Sequence, residues 1–96
     1  MSDEYKIIEV NNYLSSYFPG CEIKVKKDTT PPIFHLIRNY DTVAKVHFLR
    51  SVWDDYDYNQ IRRHLPIVKL ADEINNNIGE NLIVKTDKVS LLEQKK

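Results

Sequence analysis

Hydrophobic patterning changes period within one stretch, Trp53-Asp54-Asp55-Tyr56-Asp57-Tyr58. Before it, apolar side chains alternate as in strands; after it they recur every three to four residues, as in a helix. A chain carrying both periods buries them by packing helix on sheet, so the patterning predicts an α+β fold. The stretch also sets the single tryptophan and two of the six tyrosines among three carboxylates.

Upstream, Ile7, Val10, Leu14 and Tyr17 or Phe18 recur at helical spacing behind Asp3, a candidate N-cap, and Pro19-Gly20 ends that helix. Ile23 and Val25 alternate with Glu22, Lys24 and Lys26, the pattern of a half-buried strand. Thr29-Thr30-Pro31-Pro32 is a stiff connector. Two further strands, 33–38 and 43–50, flank the turn Asn39-Tyr40-Asp41-Thr42. Pairing Arg38 with Val43 puts Ile33, His35, Ile37, Ala44, Val46 and Phe48 on one face, the better core candidate. Phe34, Leu36, Arg38, Val43, Lys45 and His47 then share the other face, itself half apolar, so the sheet needs two covers. In this register His35 is a core histidine.

Downstream, one helix is predicted over 58–78, with Asp57 and Gln60 as a capping box and Tyr56 and Ile61 as a hydrophobic staple. Its stripe runs Ile61, Leu65, Val68, Ala71, Ile74, Ile78 and keeps phase across Pro66, which implies a kink; Gly79 is the expected terminator. Residues 81–92 read as a strand, or a hairpin about Asp87-Lys88. The expectation is a single domain over 1–92 with a fraying tail at 93–96. It comprises an N-terminal helix, a three-stranded mainly antiparallel sheet, a long Pro-kinked helix and a C-terminal strand or hairpin.

At 96 residues, 42% apolar and 29% charged, the chain can bury one modest core. No apolar run exceeds three residues, far short of a membrane span, and the N-terminus lacks the regions of a signal peptide. Cys21 is the only cysteine, so a cytoplasmic, reducing location is expected. Net charge is zero but segregated: residues 21–50 balance at +3, and the stretch at 53–58 at −3.

Chemical motifs are sparse. Asp55, Asp57 and Asn59 match the first ligands of a calcium loop, but Gln60 and Pro66 stand where that loop requires glycine and glutamate. His35, His47 and His64 have no metal-ligand spacing, and two glycines cannot build a phosphate loop. The order helix, three strands, helix is also that of double-stranded-RNA-binding domains. Where those carry a basic cluster, this chain has Asp54-Asp55-Tyr56-Asp57. No metal, cofactor or membrane partner is expected.

Three functional readings remain. The first is a non-catalytic protein-interaction module, a homodimer or partner-bound, using Phe34, Leu36, Val43, Trp53, Asp54, Asp55 and Tyr58, because aromatic residues dominate binding interfaces. The second is a nucleic-acid-binding module using Lys24, Lys26, Phe34, Arg38, Lys45 and His47, a stacking ring among phosphate-seeking charges. The third is a small enzyme using Cys21 and a histidine.

Overall fold

The computed structural model of the protein describes residues 3–92. Residues 93–96, expected to fray, lie outside the described residues. The first helix, α1, spans Glu4–Tyr17 and buries Val10 and Leu14. Asp3 precedes it without a side-chain cap; its carbonyl accepts from the Ile7 N–H at 2.9 Å. Three strands follow as an antiparallel meander, β1 (Glu22–Lys26), β2 (Ile33–Arg38) and β3 (Asp41–Phe48).

Helices α2 (Arg50–Asp55), α3 (Tyr58–Ile67) and α4 (Leu70–Asn76) then carry the chain to β4 (Glu80–Val84), which pairs parallel to β3. A parallel pair needs such a crossover, because no tight turn can join two strands running the same way. The last strand, β5 (Val89–Leu91), pairs antiparallel with β4. The sheet is therefore five-stranded and mixed, order β1-β2-β3-β4-β5, rather than three-stranded.

Its inner face differs from the one expected. The turn is Asn39-Tyr40 alone, both residues at positive φ (53° and 68°), so Arg38 pairs with Asp41 instead of Val43. A bulge between Leu36 and Ile37 then sets Leu36 opposite Ala44 and Phe34 opposite Val46. A one-residue change in pairing exchanges the faces of a strand. Phe34 and Leu36 thus join Ala44, Val46 and Phe48 in the core, with Leu82, Val84 and Val89 beside them. Ile33, His35 and Ile37 are only partly buried. His35 is not a core histidine.

The helical layer fills the other side of this core. Trp53, a candidate interface residue in the sequence, lies in α2 and is fully buried, with its ring centroid 5.1 Å from Phe48 and 6.3 Å from Phe34. The capping box at the start of α3 forms: the Gln60 N–H donates to Asp57 Oδ1 at 2.8 Å, and the Asp57 N–H donates to Gln60 Oε1 at 2.9 Å. Ile61, Leu65, Val68, Ala71 and Ile74 are buried as their spacing predicts, but Ile78 is exposed. The stripe belongs to two helices rather than one kinked helix. Pro66 lies in the last turn of α3, and Lys69, in the left-handed region, separates α3 from α4.

Opposite outcomes are expected at neighbouring positions. Phe34→Ala should cost about 3–5 kcal/mol in urea unfolding, the range for deleting a core aromatic, and half-buried Ile33→Ala less than half as much. A larger loss at Ile33 would mean the register is reversed.

Candidate functional site

Two concavities gather chemistry-bearing side chains, one in the helical layer and one on the bare side of the sheet. The first is built where α2 meets α3. Tyr56 turns extended after α2, its N–H still donating to the Val52 carbonyl at 3.1 Å, and Asp57 caps α3 from an extended backbone. The sharp corner throws Asp54, Asp55, Asp57 and Tyr58 outward while Trp53 stays inside.

The first turn of α1 closes the other side. The Tyr5 ring lies 5.7 Å from the Tyr58 ring. Lys6 Nζ donates to the Trp53 carbonyl and lies 5.6 Å from the Trp53 ring centroid. Tyr56 is steadied from behind, edge-on to His64 at 5.1 Å, and the buried His64 donates from Nε2 to the Lys85 carbonyl at 2.7 Å. The result is a cleft of about 420 Å³ lined by Tyr5, Lys6, Asp54, Asp55, Tyr56, Asp57 and Tyr58. Three carboxylates face one ammonium there. Tyr5 and Tyr58 are 64% and 42% exposed, so their rings are open to a partner. Arg50 pairs with Asp54 across one helical turn at 3.3 Å, an exposed contact of little energetic weight.

The second concavity, a groove of about 400 Å³, lies across β1, β2, β3 and β4 on the sheet face away from the core. Lys24 is opposite His35, His35 opposite Lys45, and Lys45 opposite Asn81, which makes one cross-strand row. Lys26, Ile33 and His47 line the groove beside it. His35 Nε2 and Thr42 Oγ1 are 2.8 Å apart, and His47 hydrogen-bonds Asn81. Burial lowers the pKa of His35 below the ordinary 6.5, and the charges of Lys45 and Lys24 lower it further. For His47 burial again lowers it most, the Asn81 hydrogen bond opposes this, and Lys45 adds to the lowering.

The candidate residues therefore divide. Phe34, Leu36 and Val43 are 0%, 0% and 7% exposed, covered within the chain, and offer no surface to a second copy. The motive for a homodimer across that face is gone. Trp53 is likewise interior, while Asp54, Asp55 and Tyr58 reach the cleft. Of the basic set, Lys24, Lys26, Lys45 and His47 meet in the groove; Phe34 points the other way, and Arg38 lies beside Gly20, outside it. Cys21 packs against the core, and the three histidines hydrogen-bond to Thr42, Asn81 and Lys85 rather than to it. Among the described residues no group of three or more His, Cys, Asp or Glu side chains could hold a metal, and no helix is long and apolar enough to cross a membrane.

Sequence reasoning does not reach Tyr5, Lys6 or His35 as site residues. The first two join the cleft only through tertiary packing, the one hint being that Tyr5 falls outside the Val10–Leu14 stripe. His35 is lost with the register. The chain matches no protein-family model, no curated protein and no solved structure.

The groove carries a pH signature. Both histidines bind protons less readily folded than unfolded, so stability is complete above the unfolded pKa of about 6.5 and declines as pH falls through it. Thermal midpoints at pH 7.5 and 5.5 should therefore differ more for the native chain than for His35→Gln/His47→Gln. Equal differences would contradict the assignment.

Proposed function

We propose that the protein is a non-catalytic binding module, and that its cleft recognises a protein segment presenting an arginine or lysine side chain. The observation that supports this is the convergence of Tyr5, Tyr56 and Tyr58 with Asp54, Asp55 and Asp57 around one concavity. Ring faces and carboxylates attract the same group, a cation with an apolar stem. The chain already makes this contact with itself, since Lys6 lies over the Trp53 ring beside the carbonyl it binds. A volume of about 420 Å³ suits one or two side chains rather than a whole domain face. Affinity would come from a few anchors, with the carboxylates speeding encounter and excluding acidic partners. A single cysteine fits a reducing, cytoplasmic setting. Self-association belongs to the same reading, because a second copy offers the lysines of its basic face.

The test is a calorimetric titration with short peptides differing only in arginine or glutamate at the centre, with light scattering to detect a second copy as occupant. The arginine peptide should bind and the glutamate peptide should not. Tyr58→Ala and Asp54→Ala should each weaken binding about tenfold or more with little change in thermal midpoint, as anchor residues do. Asp57→Ala should also lose about 1 kcal/mol of stability with its cap. Equal affinity for both peptides, or in all three variants, would leave the corner a structural device.

A further inference from the structure

We propose that the bare face of the sheet is a second, independent site, a groove that binds single-stranded nucleic acid along its phosphate backbone. Folding alone leaves the charges on this face unexplained. The row Lys24–His35–Lys45 runs straight across three strands, and a histidine flanked on both sides by ammonium groups gains no attraction from those charges. None of Lys24, Lys26 or Lys45 forms an ion pair with a described residue. Glu22, two residues before Lys24 on β1, starts that strand opposite Ile37 and does not line the groove. A surface that has to fold but not bind has no need to concentrate in a concavity cations that no described residue pairs with.

The shape favours a single strand. Lys24 and Lys26 are two residues apart on β1, about 6.6 Å along the strand, and Lys45 lies two strand spacings away, about 10 Å. Cations on both sides thus border a floor made by Ile33 and His35 of β2, with His47 of β3 beside Lys45. That floor offers flat, partly apolar surface to an unstacked base while the lysines take the phosphates. A duplex keeps its bases stacked and would leave the floor unused. The groups facing His35 are Lys24 and Lys26 from β1 and Lys45, His47 and Thr42 from β3; His47 faces Lys45 and, from β4, Asn81. A phosphate among them offsets the lysine charges, so binding draws protons onto both rings. Affinity then strengthens as pH falls toward the lowered pKa values of the two rings.

The experiment is fluorescence anisotropy of the full chain with a labelled oligothymidine, the corresponding duplex, and a poly-glutamate peptide as acidic-protein control. The single strand should bind best, with a slope of log affinity on log salt near −2, roughly 0.7 for each of the lysine contacts. Lys45→Glu should weaken binding tenfold or more and flatten the slope. Affinity should rise from pH 7.5 to 6, and His35→Gln/His47→Gln should abolish that rise. Tyr58→Ala should bind the strand normally, which separates failure of the groove from failure of the cleft. Lys45 is exposed, so its variant should keep the native thermal midpoint, measured alongside. Absent binding at low salt and pH 6, unchanged affinity in Lys45→Glu, or poly-glutamate or duplex binding as tightly as the strand would each overturn the proposal.

Discussion

The contact on which the rest depends is the meeting of three rings, Phe34 and Phe48 from the sheet and Trp53 from α2. Phe34 and Phe48 approach edge-to-face at 5.9 Å, and both lie against Trp53, whose side chain is fully buried. Aromatic side chains bury more area than any others, and tilted pairs add attraction beyond area. This cluster decides which face of the sheet the helices cover. Once Phe34 faces inward, Leu36 follows it, and Ile33, His35 and Ile37 must face out.

The charge distribution follows from that choice. Lys24 and Lys45 are paired across the strands with His35, so turning His35 outward assembles all three on the bare face. Trp53 has the corresponding effect in the helical layer. Because it is anchored inside, the chain leaving it has to turn a corner, and the corner exposes Asp54, Asp55 and Asp57 together. One buried cluster thus separates a cationic groove from an anionic cleft in a chain of zero net charge. Such separation favours partners of opposite sign at each surface and disfavours indiscriminate association.

How much of this is legible in the sequence depends on how decisive each local signal is. The stripe in α1, the cap formed by Asp57 and Gln60, and the buried positions from Ile61 to Ile74 follow directly from spacing and residue type. The run Ile33-Phe34-His35-Leu36-Ile37 is different, because it is apolar on both faces and alternation cannot choose between them. The turn and the bulge choose, and neither announces itself: Tyr40 adopts a positive φ that side chains other than glycine and asparagine rarely take. The break at Lys69 is hidden for the same reason, a left-handed residue that is not glycine. Of the sites, the contiguous part is legible and the tertiary part is not. Asp54, Asp55 and Tyr58 are read from the chain, whereas Tyr5 and Lys6 reach them only by the docking of α1.

Both surfaces depend on the Phe34 face of β2 being the inner one. That orientation is tested most directly by nuclear Overhauser contacts from the single Trp53 indole. The structure calls for strong cross-peaks to the rings of Phe34 and Phe48 and none to Ile33, His35 or Ile37. Cross-peaks from Trp53 to the methyl groups of Ile33 or Ile37, with Phe34 silent, would reverse the sheet and remove both the groove and the account built on it.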